Sequence, residues 1–197
     1  SQDKETGYEQ VAPTVYALVA AIDAKDSFTF QHSTNVSQYA VLLAQKLGLS
    51  RNDIQTVKVA GLLHDIGKIG IPESILKKAG KLTNEEYEIM KSHVEKSIEM
   101  IHYLPNMNYV IPAVVSHHER YDGKGYPRGI KGEEIPFLGR ILAVCDSFDA
   151  MISKRAYKEP LSVEYAMGEL EKNKGTQFDP EVADAFIELI KEGKVPL

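Results

Sequence analysis

The spacing of apolar residues along this 197-residue chain is the feature that most restricts its fold. In the long segments apolar residues recur three or four positions apart, which is the period of an α-helix, and no segment of useful length alternates as a β-strand does. Hydrophobic residues make up 43% of the sequence, enough to fill the core of one large domain. We therefore predict a compact all-α fold with about seven to nine helices.

Local signals set the expected helix boundaries. Ser50, Thr83 and Ser162 stand where a hydroxyl can cap a helix N-terminus, and Asp179 precedes a proline suited to a first helical turn. The segment 121–132 holds four glycines and a proline and should be a loop. The predicted helices cover residues 8–23, 32–47, 50–63, 73–76, 83–103, 109–120, 138–151, 162–172 and 180–193.

Residues 59–72 carry the first chemical signal. An apolar helical run ends there in His64 and Asp65, and Gly67 and Lys68 follow in a tight turn that glycine supplies with backbone freedom. An imidazole beside a carboxylate can hold a metal ion, and a nearby lysine can contact a phosphate. A lone His-Asp pair is more often a surface pair or a helix cap, so this stretch does not establish a site alone.

Other candidate metal ligands, four histidines and one aspartate, fall on helical segments separate from His64 and Asp65. Five imidazoles and two carboxylates are enough for two metal ions that share a bridging carboxylate, an arrangement that hydrolyses phosphate esters. Taken singly each histidine is more often an ordinary core or surface residue, so the joint occurrence carries the hypothesis. Asp149, one turn after Asp146, is expected to support a ligand through a hydrogen bond. The candidate ligands are His32, His64, Asp65, His93, His117, His118 and Asp146.

Charge and cysteine usage exclude several classes of protein. The formal charge of −5 and the pI near 5.7 argue against binding to polymeric nucleic acid, which requires a basic surface. No stretch approaches the roughly 20 apolar residues of a membrane span, so direct membrane insertion is not expected. The lone Cys145 cannot form an internal disulfide, which favours a cytoplasmic location. Residues 1–22 are expected to be a helix or linker leading into a catalytic domain at 23–197.

The motifs together resemble a known family. HDIGK at residues 64–68 and HHERYDGKGYP at residues 117–127 resemble the HD-GYP branch of the HD phosphohydrolase superfamily, the cyclic di-GMP phosphodiesterases of bacterial signalling. RAYK at 155–158 and FDP at 178–180 add to a resemblance that covers about residues 23–186. It implies a compact multi-helix HD-type domain that serves as the output module of a longer protein with an upstream sensor or receiver domain. The loop 121–132 is called the GYP loop below.

The resemblance also implies a ligand set. One ion would be held by His32, His64, Asp65 and Asp146. Asp65 would bridge to a second ion, whose other ligands would be His93, His117 and His118. Phe28 stands where some members of the family place a glutamate for a third ion, so two divalent ions are expected. The family favours iron, and manganese is the alternative.

The expected reaction is hydrolysis of cyclic di-GMP to pGpG and, by a second cleavage, to GMP. A hydroxide that bridges the two ions would attack phosphorus. Asp65 and Lys68 would be catalytic, with Lys68 also holding a phosphate oxygen. Arg155 and Lys158 would bind the other phosphate or a guanine, and Tyr126 would shape the rim of the substrate site. The GYP loop is also a candidate surface for a diguanylate cyclase, and a homodimer is considered.

Three alternatives are kept. The same chemistry could act on 3′,3′-cyclic GMP-AMP or on another nucleotide. A catalytically silent domain could bind a nucleotide or a signalling partner, although silent HD domains usually lack ligands that are present here. A helical di-iron protein that binds oxygen is less favoured, because such sites use Glu-x-x-His pairs and the histidines here are not so spaced.

Overall fold

The folded chain is described by a computed structural model over residues 13–22, 25, 27–154 and 158–197. Within these ranges the chain forms helices and no β-strand, and Lys174 and Phe178 pair only as an isolated bridge. The prediction of an all-α fold is confirmed. None of the helices in the described ranges combines the length and the apolar character needed to cross a lipid bilayer.

The helices are numbered here in chain order. They are α1 (13–22), α2 (Ser27–Lys46), α3 (Arg51–Leu63), α4 (Glu73–Leu76), α5 (Asn84–Lys91), α6 (His93–His102), α7 (Ile111–Ser116), α8 (Phe137–Ile152), α9 (Val163–Lys172) and α10 (Pro180–Lys191). Short 3-10 helices span Ile66–Gly70, Asn108–Val110 and Gly132–Glu134.

The predicted N-terminal caps are all formed. The Ser50 and Ser162 hydroxyls each accept a hydrogen bond from the backbone N–H three residues on, at 3.1 and 3.0 Å. Thr83 and Glu86 form a reciprocal capping box at the start of α5. The Asp179 carboxylate caps α10 by accepting from the backbone N–H of Glu181, two residues on, at 2.9 Å. These contacts satisfy backbone donors that a helix leaves unpaired in its first turn, which is why short sequence signals located these boundaries well.

The core forms where α2 packs against α3, α8 and α10. At its centre lie Tyr39, Phe148 and Phe186, whose ring centroids are 4.9 to 5.9 Å apart in tilted and edge-to-face pairs. Aromatic pairs of this geometry add to the stabilisation that burial itself gives. This packing holds α2, α3 and α8 in fixed register, and these helices carry or lead into His32, His64, Asp65 and Asp146.

A second, smaller apolar cluster seats α4 and α5. Ile71, Ile75 and Leu76 are buried, and Leu82 and Met90 pack against them. No residue of α5 is itself buried. The helix α5 is therefore attached to the domain mainly through one side.

Three helix boundaries differ from the prediction. The helix predicted to begin at residue 32 already begins at Ser27, and the Gln31 side chain donates to Asn35 one turn on at 2.8 Å. The predicted helix 83–103 is divided at Ser92 into α5 and α6. The predicted helix 109–120 is reduced to α7 after a 3-10 turn. The His117-His118 pair therefore lies just beyond a helix end, where the chain can turn toward the GYP loop.

Candidate metal centre

The fold gathers all seven candidate ligands into one cluster with two overlapping groups. In each group the possible ligand atoms lie within 4.8 Å of one another. We call His32, His64 and Asp146 the carboxylate half, since Asp146 adds a second carboxylate to the Asp65 that both groups contain. We call His93, His117 and His118 the imidazole half. The pairing of ligands that the family resemblance implies is the pairing that the structure brings together.

In the carboxylate half two imidazoles converge on two carboxylates. The Nε2 atom of His32 lies 2.7 Å from Oδ1 of Asp146, and that of His64 lies 3.2 Å from the same oxygen. The Nε2 atoms of His64 and His32 are also 3.2 and 3.5 Å from Oδ2 of Asp65. His32 and His64 come from α2 and the end of α3, so the tight packing of these helices sets the spacing.

Three histidines are oriented by their own backbone. The Nδ1 atoms of His64, His93 and His117 lie 2.6, 2.7 and 2.5 Å from the carbonyl oxygen three residues earlier. A carbonyl can only accept, so each Nδ1 carries the proton and donates it. Nε2 of each ring is thereby directed to the cluster, and in the neutral ring it is the nitrogen whose lone pair a metal ligand needs.

His32 is oriented by a carboxylate instead. Its Nδ1 atom lies 2.7 Å from Oδ2 of Asp149, and the Asn35 side chain donates to Oδ1 of Asp149 at 2.9 Å. The expected supporting role of Asp149 agrees with this contact. A carboxylate behind a histidine raises its basicity and fixes its orientation toward an ion.

Two unsatisfied nitrogen atoms test whether the site fits metal ions. The Nε2 atoms of His93 and His117 are buried and have no hydrogen-bond partner among the described residues. Burial of a polar atom without a partner costs free energy, so such atoms are uncommon in folded proteins. Both face the cluster containing Asp65, where Oδ1 lies 3.3 Å from His93 Nε2. Imidazole and carboxylate donors in this mixture suit divalent first-row metals.

Electrostatics differ between the halves. Burial alone would lower the pKa of His64, but the Asp65 charge and hydrogen bonds to Asp146 and Asp65 outweigh it and raise the pKa to about 10. His32 has a raised pKa for a related reason, since hydrogen bonds to Asp146 and Asp149 outweigh burial. Burial would raise the pKa of Asp65 and Asp146, yet the neighbouring histidines hold both well below the usual value.

The imidazole half behaves in the opposite way. Burial, together with the charge of His64, lowers the pKa of His117 to about 4. Burial and the neighbouring His117 lower the pKa of His118 well below its ordinary value. These two rings are therefore neutral at pH 7, which is the form that binds a metal ion.

The turn after the His-Asp pair requires a correction. Residues Ile66–Gly70 form a 3-10 helix, and Gly67 does not have the positive φ that the predicted backbone freedom implies. Glycine is needed there for space, because a Cβ on Gly67 would lie 2.1 Å from the carbonyl oxygen of His93 and 2.4 Å from the backbone nitrogen of Ser97. The turn brings Nζ of Lys68 to 3.1 Å from Oδ2 of Asp65.

Ser97 joins this turn to α6, a role that sequence reasoning missed. Its hydroxyl oxygen accepts from the Gly67 N–H and donates to the His93 carbonyl, both at 2.8 Å. The same oxygen is 3.4 Å from the carbonyl of His64. Ser97 thus connects the backbone segments that carry Asp65 and His93.

Glu119 holds the GYP loop through hydrogen bonds to its backbone, a second role that the sequence did not predict. The buried Glu119 carboxylate accepts from the N–H groups of Arg128 and Gly129 at 2.6 and 3.0 Å. Gly125 packs so closely on residues 118–120 that a Cβ there would lie 2.4 Å from a backbone nitrogen. The Tyr126 ring consequently stacks on His118, with centroids 4.9 Å apart and planes inclined by 14°.

Two of the predicted substrate contacts fall in or beside a segment outside the described residues. Arg155 is outside the described residues. Lys158 is exposed. Their expected contacts with substrate, and that of Tyr126, stay predictions. Tyr87 and Lys91 of α5, which belong to none of the motifs above, lie beside Tyr126. Their spacing of four residues on one helix is the only sequence signal that places them together.

Across the part of the chain that the structure describes, fold and site together define a class: a helical domain whose helices converge on a largely buried cluster of five histidines and two aspartates. The HD domain family matches residues 17–182. The chain belongs to this family.

Curated relatives confirm the HD-GYP resemblance proposed from the sequence. A cyclic di-GMP phosphodiesterase of Thermotoga maritima is 44% identical over 190 residues, which are 95% of this chain and 52% of that protein. A 3′3′-cGAMP-specific phosphodiesterase 2 of Vibrio cholerae is 39% identical over 176 residues, 88% of this chain and 34% of that protein. This chain therefore spans about half or less of the length of these relatives.

A solved structure supports the fold. The cyclic GMP-AMP specific phosphodiesterase V-cGAP3 of Vibrio cholerae superimposes with a TM-score of 0.72 over 92% of this chain and 49% of that one. The sequence identity is 20%. At this identity the likeness establishes the helical architecture.

Proposed function

We propose that this chain is a metal-dependent phosphodiesterase that hydrolyses cyclic di-GMP to pGpG and, by a second cleavage, to GMP. The observation that carries the proposal is the shared Asp65, whose two oxygens face the two halves of the cluster. Oδ2 lies 3.2 Å from His64 Nε2, and Oδ1 lies 3.3 Å from His93 Nε2. One carboxylate placed between two ligand groups is what a site for two ions requires.

The residues that would hold the ions follow from the two groups. The carboxylate half and Asp65 would hold one, and the imidazole half and Asp65 the other; iron is the proposed metal and manganese the alternative. Two such ions lower the pKa of bound water and stabilise charge on the attacking and leaving oxygens of a phosphodiester. The four histidine rings held through Nδ1 would keep Nε2 aimed at the ions without rearrangement.

Lys68 would act on the substrate from the carboxylate side. Its ammonium group lies 3.1 Å from Asp65, and its side chain is about one-sixth exposed, at 16%. From there it can donate a charge-assisted hydrogen bond to a phosphate oxygen that approaches the cluster. Tyr126 would border the site from the other side. Arg155 and Lys158 are proposed for the second phosphate or a guanine because they match the family motif.

Turnover of cyclic di-GMP tests the proposal directly. Protein reconstituted without oxygen with iron or manganese should convert cyclic di-GMP to pGpG, identified by chromatography of the products. The Asp65→Ala variant, treated in the same way, should produce none. Intact cyclic di-GMP with fully metal-loaded wild type would refute the activity, and equal turnover by both proteins would refute the site.

A second substrate is favoured by one observation. Three curated relatives from Vibrio cholerae are named for 3′3′-cGAMP. Measurement of kcat/KM for cyclic di-GMP and 3′,3′-cyclic GMP-AMP on the same preparation decides between them. The division at residue 23, the upstream domain, the diguanylate cyclase partner, the homodimer and the cytoplasmic location stay proposals from the sequence.

A further inference from the structure

Three side chains form a cationic aromatic cluster beside the imidazole half. Tyr126 stacks on His118, and the Tyr87 ring meets Tyr126 nearly at right angles, with centroids 6.3 Å apart. The Lys91 ammonium nitrogen lies 5.1 Å from the centroid of Tyr87 and 5.5 Å from that of Tyr126. The ammonium group is therefore within cation–π range of both rings.

Packing of the domain does not account for Tyr87. Its side chain is 48% exposed, and α5 has no buried residue. Met90 provides the apolar contact that seats α5 on the small cluster. Tyr87 instead presents an aromatic surface to solvent next to the candidate metal centre. An exposed ring with a nearby cation is suited to stacking on a nucleobase.

Lys91 retains hydrogen-bonding capacity at this position. Its ammonium group lies 2.6 Å from the carboxylate of Glu88, which is largely exposed on the same helix. An ammonium group has three donors, so this ion pair leaves others for a ligand. The Lys91 side chain is 25% exposed, which leaves the ammonium accessible while the two rings border it.

We infer that Tyr87 and Lys91 form a base-recognition subsite for guanine, an inference that rests on the proposed function. One guanine of the cyclic dinucleotide would stack on the Tyr87 ring. Lys91 would donate to the guanine O6 and N7 atoms. Because Tyr126 links Lys91 to His118, a base held here belongs to a nucleotide whose phosphate reaches the imidazole half.

The chemistry of the two purines makes this subsite selective. Guanine presents two adjacent acceptors, O6 and N7, and paired contacts from lysine or arginine to them are the commonest base-specific contacts. Adenine presents an N6 amino donor in place of O6, and an ammonium group cannot donate to it. The subsite therefore favours guanine through Lys91, whereas stacking on Tyr87 is shared by both bases.

Matched variants separate these contributions. Lys91→Met removes the hydrogen-bond donors and nearly keeps the length of the side chain. It should reduce the preference in kcat/KM for cyclic di-GMP over cyclic di-AMP about tenfold. Lys91→Arg should keep most of the preference. Tyr87→Leu should raise KM for both dinucleotides about tenfold with little change in kcat. Tyr165→Leu, at a tyrosine of similar exposure (52%) on α9, and Lys172→Met are the controls.

Two further readouts exclude a merely structural effect. The metal content of each variant and its hydrolysis of bis(p-nitrophenyl) phosphate, which carries no purine, should match the wild type. The inference is overturned if Lys91→Met leaves the guanine preference unchanged, or if it lowers hydrolysis of the purine-free compound in parallel. A wild type that cleaves no cyclic dinucleotide refutes the proposed function instead. Calorimetric binding of cyclic di-GMP and cyclic di-AMP to wild type and Lys91→Met then decides the subsite separately.

Discussion

The two halves of the candidate metal centre share Asp65, yet they differ in charge. The carboxylate half adds Asp146 to the shared Asp65, and these carboxylates raise the pKa of His32 and His64. The imidazole half has only the shared carboxylate, and its His117 has a pKa lowered to about 4. An ion in the carboxylate half would compensate the negative charge of two carboxylates, whereas an ion in the imidazole half would be held mainly by imidazole nitrogens.

The halves also differ in how the fold holds them. His32, His64 and Asp146 lie on or at the end of α2, α3 and α8, whose packing forms the main core. His93 begins α6, and the His117-His118 pair follows the end of α7. Core packing of α6 and α7 supports the imidazole half too, but Ser97 and the stacking of Tyr126 on His118 add contacts that the carboxylate half does not have. We therefore expect substitution of Ser97 or His118 to change binding of the second ion more than that of the first.

The largest expected effect comes from the residue that both halves share. Asp65→Ala removes an oxygen ligand from each group, so both ions should be lost and turnover should fall by about three orders of magnitude or more. Elemental analysis of reconstituted protein and a cyclic di-GMP assay measure the two effects. The control variant Asp184→Ala, at an exposed carboxylate on α10, should still bind two equivalents of metal. Retention of one tightly bound ion by Asp65→Ala would show that the halves do not depend on a common carboxylate.

Single-half variants should each remove one ion. Asp146→Asn weakens only the carboxylate half, and His118→Asn weakens only the imidazole half. Each should reduce the metal content from two equivalents to one and turnover by about two orders of magnitude. Metal analysis together with turnover checks both variants. If either variant lost both ions, the two halves would have to be treated as a single cooperative site.

Removal of the Lys68 charge should affect substrate more than metal. Lys68→Ala deletes an ammonium group 3.1 Å from Asp65, so we expect full metal content and a decrease in kcat/KM of about ten- to hundredfold. Lys68→Arg should recover part of the loss. Wild-type turnover in a fully metal-loaded Lys68→Ala variant would refute the phosphate contact.

The smallest expected effect concerns the link between the halves. Ser97→Ala leaves the buried Gly67 N–H without its acceptor, which should lower the free energy of unfolding by about 1–3 kcal/mol. Because Ser97 also contacts the His93 carbonyl, affinity for the second ion should fall about tenfold, as for other groups that support metal ligands. Denaturant unfolding and metal titration measure these changes. If Ser97→Ala instead lost affinity for the ion in the carboxylate half, Ser97 would not be the support of the imidazole half that we infer.

The sequence predicts the local features of this fold well. Caps at Ser50, Thr83, Ser162 and Asp179 depend on residues within three positions, so a single sequence contains their cause. The ligand types are also readable, because five histidines and two aspartates on separate helical segments are an unusual combination. The family resemblance then supplied their grouping, which the distances reproduce.

The missing parts depend on contacts between distant segments. Position 67 requires a glycine because α6 passes so close that a Cβ there would clash with the backbone of α6. The pairing of Glu119 with the backbone of Arg128 and Gly129 depends on the path of the GYP loop. Apolar spacing also continues across Ser92, so the periodicity gave no sign that the helix divides there. Such features follow from packing, which periodicity along one chain does not report.

Anomalous diffraction from crystals of the chain loaded with iron or manganese tests the central claim most directly. The account predicts two metal peaks, one on each side of Asp65. One peak should be bounded by His32, His64 and Asp146, and the other by His93, His117 and His118. A single peak, or a peak that does not contact Asp65, would contradict the two-ion centre.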